Sequence, residues 1–141
     1  MSEAARIVSI AASGSGPYGQ IVTVGDHILF ADEPVLRGGR DTGPSPYEFL
    51  LAGLGACTAV TVRMYADRHS WLLRMMKVEL WHEKVATADG TAVDHFHRII
   101  TLEGNLSGEQ RLRLFQIAER CPVSETLRRV GIVESNLVDT V

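Results

Sequence analysis

The chain is poor in aromatic residues, which make up 6% of it, and contains two cysteines. With so few rings, aliphatic and small side chains must fill the core. Two cysteines are too few for the disulfide framework of a small secreted domain. No block of like charge suggests an interaction tail, and the net charge of −3 argues against nucleic acid as a partner. The N-terminal Met1-Ser-Glu-Ala-Ala-Arg-Ile lacks the charged-then-apolar pattern of a signal peptide. The longest mostly apolar run, residues 49–62, contains glycines and is too short to span a bilayer. These absences point to a cytoplasmic protein with no membrane partner. In a reducing compartment, a cysteine pair would cycle rather than staple.

What is present fits one globular domain over residues 1–141, with 45% hydrophobic content. Residues 5–11, 20–24 and 27–31 read as strands, the last two as a hairpin across Gly25-Asp26. A breaker-rich loop follows and carries Arg37 and Arg40. Ser45, Pro46 and Glu48 form a capping box with proline at the first helical position, predicting a helix to about His69. Its first half is apolar nearly all round and predicts full burial. Arg63, Asp67 and Arg68 mark a wetter second half. Residues 71–85 and the alternating Phe96, Arg98, Ile100 and Leu102 predict two further strands about a turn at Asp89-Gly90. Ser107 with Gln110 caps a second helix to about Arg120. A short helix over residues 122–129 and a final strand near 132–138 complete the order. Strands and helices do not alternate regularly, so the class is α+β.

Ala52, Gly53, Gly55, Ala56 and Ala59 give the first helix small patches. They imply close approach of another helix, either the second helix of the same chain or a second copy of the first. Gly14-Ser-Gly-Pro-Tyr-Gly19 matches a nucleotide-binding turn literally. A strand follows it where a helix N-terminus is required, so it reads as a glycine-rich turn. His95 and His97 share a strand face, with His82 on the preceding strand. No carboxylate or cysteine is obviously placed to complete a metal site, and they read as surface histidines. No metal or cofactor is called for.

Cys57 lies in the apolar helix, where free cysteine packs readily and burial disfavours the thiolate. A reactive Cys57 needs a nearby cation. Cys121 precedes Pro122 and falls at a helix N-cap, where free N–H groups favour the thiolate. Judged locally, Cys121 is the more activated sulfur. Glu48 lies nine residues before Cys57. That is roughly 900° of rotation and about 13.5 Å of rise, so it faces away and serves as a cap unless it acts indirectly.

Gly43-Pro-Ser-Pro-Tyr-Glu-Phe-Leu-Leu-Ala-Gly-Leu-Gly-Ala-Cys-Thr, with Cys121-Pro-Val-Ser later, resembles the OsmC/Ohr family of thiol peroxidases. The resemblance implies an intertwined homodimer with long central helices packed on antiparallel sheets. It implies reduction of organic hydroperoxides, with Cys57 as the peroxidatic and Cys121 as the resolving cysteine. An external dithiol, of lipoamide type by analogy, would restore the thiols. Two departures place the chain nearer the OsmC-like branch than Ohr. Tyr47 follows Pro46 where Ohr has the glutamate that orients an arginine, and Glu48 comes one place later. The loop over residues 13–20, which supplies that arginine in Ohr, has none here. Arg40 or Arg37 is then the candidate cation. The competing readings are a non-enzymatic small-ligand-binding protein and a redox sensor.

Overall fold

The computed structural model describes residues 5–129 and 131–138. Among them the chain forms two compact units, with the boundary at Ala52–Gly53.

The first unit holds β1 (Val8–Ala12), β2 (Gln20–Val24) and β3 (His27–Ala31), an antiparallel sheet in the order β1-β2-β3. The glycine-rich turn between β1 and β2 is closed by the Ser13 N–H donating to the Gly19 carbonyl at 2.9 Å. It leads into a strand, as its sequence context required. The loop after β3 is organised by Asp32. Its carboxylate accepts from the backbone N–H groups of Glu33, Arg40 and Thr42 at 2.7, 3.3 and 3.1 Å, and from the Thr42 hydroxyl at 2.7 Å. Such a fully used carboxylate is stabilised in its charged form, and its pKa is lowered, with the Thr42 hydroxyl as the main cause.

The helix α1 (Pro46–Arg68) starts where its cap signals place it. The Ser45 N–H donates to Glu48 Oε1 at 2.8 Å and the Glu48 N–H donates to Ser45 Oγ at 3.4 Å. By length and composition the whole of α1 would suffice to cross a membrane, which a reading confined to residues 49–62 did not allow. The core helix of a soluble protein has the same character. Within the second unit α1 does pack, but on one stripe: Leu54, Gly55, Thr58, Val62 and Ala66 are buried. The expectation of full burial for the first half is therefore corrected, because Gly53 and Ala56 are exposed on other sides of the helix, and further along Val60 and Met64 remain 57% and 49% exposed.

The second unit continues with β4 (Leu72–Ala86) and β5 (Ala92–Asn105), one long antiparallel hairpin. It ends with α2 (Gly108–Glu119) and α3 (Pro122–Leu127). A reciprocal Ser107–Gln110 capping box opens α2. Val62 and Ala66 of α1 pack with Leu73, Leu114 and Ala118 to form the core, flanked by Tyr65, Met76, Ile100 and Leu102. The small residues of α1 meet a strand rather than a helix at the tightest point. A Cβ on Gly55 would lie 2.7 Å from Leu80 Cδ1 of β4. Leu114 is 1% exposed at the centre of this core. Leu114→Ala should lower unfolding free energy by about 3 kcal/mol, measured by denaturant titration.

The predicted last strand is absent: residues 131–138 carry no strand and are exposed. Their alternating apolar pattern favours an extended conformation. A strand also needs a partner edge for its N–H and C=O groups, and none of the described residues supplies one.

Candidate functional site

The second unit brings Cys57 and Cys121 together. Cys57 sits on α1, half-buried, with its sulfur 4.0 Å from Thr61 Oγ1. Cys121 is the N-cap of α3, with Pro122 at the first helical position, and is 0% exposed. Both thiols are free, and the Cys57 thiol lies close enough to the Cys121 sulfur to favour its thiolate. Two residues far apart in the chain thus form one dithiol site.

Among the described residues of this unit, Arg98 of β5 brings a positive charge to Cys121. Its Nη1 donates to Thr58 Oγ1 and to the Ala118 carbonyl, both at 3.0 Å, and lies 3.8 Å from Cys121 Sγ. Its Nη2 donates to Glu119 Oε1 and Ser124 Oγ, both at 3.3 Å. The side chain is 8% exposed. A guanidinium so deeply placed must have its donors satisfied, and here α1, α2 and α3 all contribute acceptors. Glu119 is in turn held by Arg128, whose Nη2 lies 3.0 Å from Glu119 Oε2.

Thr58 connects the two cysteine-bearing helices. Its hydroxyl donates to the Leu54 carbonyl at 2.6 Å and lies 3.6 Å from Cys121 Sγ. A threonine hydroxyl has one proton to give. When Cys121 is ionised that proton can turn to the sulfur, and when Cys121 is protonated Thr58 can accept instead.

Burial pushes the Cys121 thiol pKa up. The Thr58 hydroxyl, the Ser124 backbone N–H, the Cys57 thiol and the Arg98 charge together outweigh it and leave the pKa below the ordinary thiol value. The Ser124 N–H acts on the sulfur without the geometry of a formal cap hydrogen bond. The setting of Cys121 is thus richer than an N-cap alone.

Arg40 and Arg37 belong to the first unit and are exposed. The aliphatic stem of Arg40 runs over Gly16, where a Cβ would lie 2.8 Å from Arg40 Cδ. Glu48 caps α1, and its hydrogen bonds with the Ser45 backbone and side chain lower its pKa. Arg98 was missed as a site residue although a signal existed. It stands on the apolar side of β5 between Phe96 and Ile100, where a charge must have a buried partner.

A groove of about 290 Å³ adjoins the dithiol, lined by Thr61, Met64, Tyr65, Arg68, Ile117, Arg120 and Pro122. Thr61 is the neighbour of Cys57, and Pro122 follows Cys121.

Residues 39–135 match the OsmC-like protein family, and this span contains both cysteines, Glu48 and Arg98. The chain belongs to the OsmC-like family. Its fold is that of solved family structures. An OsmC-like protein from Mycoplasma pneumoniae superposes with a TM-score of 0.74 at 16% identity, over 92% of this chain and 91% of that one. An organic hydroperoxide resistance protein OsmC from Legionella pneumophila gives 0.69 at 20% identity, over 91% and 92%. The organic hydroperoxide resistance protein OhrB of Bacillus subtilis gives 0.62 at 19% identity, over 88% and 90%. A search of curated proteins found no match. The α+β class read from the element order holds for this OsmC-like chain, with two antiparallel sheets and three α-helices among the described residues.

Proposed function

We propose that this OsmC-like protein is a thiol peroxidase that reduces organic hydroperoxides through Cys57 and Cys121. Family membership supports a redox role in peroxide stress. The observation that carries the finer reading is the juxtaposed dithiol with Arg98 beside it. Exposure divides the labour between the sulfurs. Half-buried Cys57 is the one a peroxide can reach, and fully buried Cys121 sits beside it in a setting that favours its thiolate.

In the cycle, the Cys57 thiolate attacks the terminal oxygen of the hydroperoxide. The O–O bond breaks, the alkoxide leaves and is protonated by water to an alcohol, and Cys57 becomes a sulfenic acid. The Cys121 thiolate attacks the Cys57 sulfur, forming a disulfide and releasing hydroxide, which is protonated to water. A dithiol then reduces the disulfide by two exchanges and is itself oxidised. The organic tail would lie in the groove beside Met64 and Ile117.

The same reading makes the protein a cytoplasmic homodimer. The exposed Val60 and Met64 lie at helical spacing from Cys57 and would be covered by a second copy. Light scattering should then report a dimer mass.

The test is steady-state consumption of tert-butyl hydroperoxide and of hydrogen peroxide with dihydrolipoamide as reductant. Faster turnover of the organic peroxide is expected. A single stoichiometric oxidation with no turnover under any dithiol would favour a redox sensor. Thiols inert to both peroxides would favour a binding protein.

A further inference from the structure

The outer face of the β4–β5 hairpin carries a second cluster with its own chemistry. Residues alternate across this sheet, so His95 and His97 lie on the face opposite Phe96 and Arg98. The register sets Glu83 directly across from His95, and Trp81 directly across from His97. The carboxylate that the sequence did not obviously place is therefore supplied by strand pairing. Glu83 Oε1 is 3.1 Å from His97 Nε2. One donor atom from each of Glu83, His95 and His97 lies within 4.8 Å of the others. Trp81 stacks on the His97 ring at 4.6 Å and 7°, which fixes its plane.

We propose that Glu83, His95 and His97 bind a divalent transition-metal ion of the zinc class. Two imidazoles and one carboxylate suit zinc, copper or nickel and are a poor set for magnesium or calcium. Ligands of a tetrahedral zinc ion stand about 3.4 Å apart, given bonds of about 2.1 Å. Binding would draw the three atoms in from their present spread of up to 4.8 Å. At 54% and 34% side-chain exposure, Glu83 and His97 leave room for water at the fourth position. His82 is not part of the set: it pairs with Asp94 at 2.8 Å.

Cys57 and Cys121 are zinc ligands in their own right, so the test uses the full chain carrying both Cys57→Ser and Cys121→Ser. Calorimetric titration with zinc chloride should show one ion per chain, and magnesium should show none. His95→Ala, His97→Ala and Glu83→Gln, each added to that background, should weaken binding about tenfold or more. These positions are on the surface, so circular dichroism should confirm unchanged folding. In NMR spectra of the same background, zinc should shift the ring signals of His95 and His97 and leave His27 and His69 in place. Absence of saturable binding, affinity unchanged by both histidine variants, or shifts confined to other histidines would overturn the site.

Discussion

Cys57→Ser is expected to lower turnover of an alkyl hydroperoxide by on the order of a thousandfold or more, because it removes the nucleophile itself. Serine keeps nearly the same volume in a half-buried helical position, so the loss should come without loss of fold. Cys121→Ser should behave differently. Its Cys57 can still be oxidised once, so one equivalent of peroxide is consumed rapidly and a sulfenic acid accumulates, trappable by a dione reagent. Catalysis with a dithiol then falls to whatever rate the external thiol attacks that sulfenic acid unaided. The contrast is informative because the surroundings of Cys121 lower its pKa. If Cys57→Ser turned over normally and Cys121→Ser were inert toward the first equivalent, the roles would be exchanged. The buried thiol would then have to be reached through movement of α3.

The parts of the fold that were legible in the sequence are those whose signals are local. Ser45-Pro46 with Glu48, and Ser107 with Gln110, each state a helix start within four residues, and both capping boxes form. The hairpin at Gly25-Asp26 and the turn at Asp89-Gly90 are likewise set by a dipeptide. What could not be read depends on partners distant in the chain. The segment over residues 132–138 has a strand's alternation, but alternation cannot provide an edge to pair with. Gly55 announced a close approach without saying that Leu80 of a strand would make it. The site divides in the same way. Cys57 and Cys121 were named through family resemblance, and their adjacency required the fold. Arg98 could be seen to face the core. Its acceptors, Thr58, Ala118 and Ser124, come from three helices, and no spacing rule predicts such a meeting. Glu83 reaches His97 only because the register places it opposite His95.

Arg98→Met should separate the two roles of the dithiol. Methionine fills much of the volume, but it removes the charge beside Cys121 and the donors to Thr58, Ala118 and Ser124. The Cys121 thiol then keeps its burial and loses part of what opposes it, so its pKa rises. The rate of disulfide closure follows the thiolate fraction, which falls tenfold for each unit of rise at pH below the pKa. Intrinsic nucleophilicity rises with basicity at about half that slope, so the net loss is about threefold per unit. Closure after one equivalent of peroxide should therefore slow by about threefold or less near neutral pH and recover at alkaline pH. Its pH profile should move upward as a whole. Arg98→Lys keeps a charge but cannot reproduce a fork that serves several acceptors at once, so it should fall between wild type and methionine. The linkage to stability has a definite sign. Cys121 has a lowered pKa in the folded state, so its contribution is present above the ordinary thiol value and lost as pH falls through the folded one. Arg98→Met should therefore narrow the stability gain of the reduced protein at alkaline pH, measured by thermal unfolding across pH. A closure profile unchanged in Arg98→Met, with the variant folded, would mean that Arg98 only braces α2 and α3 and does not tune the sulfur.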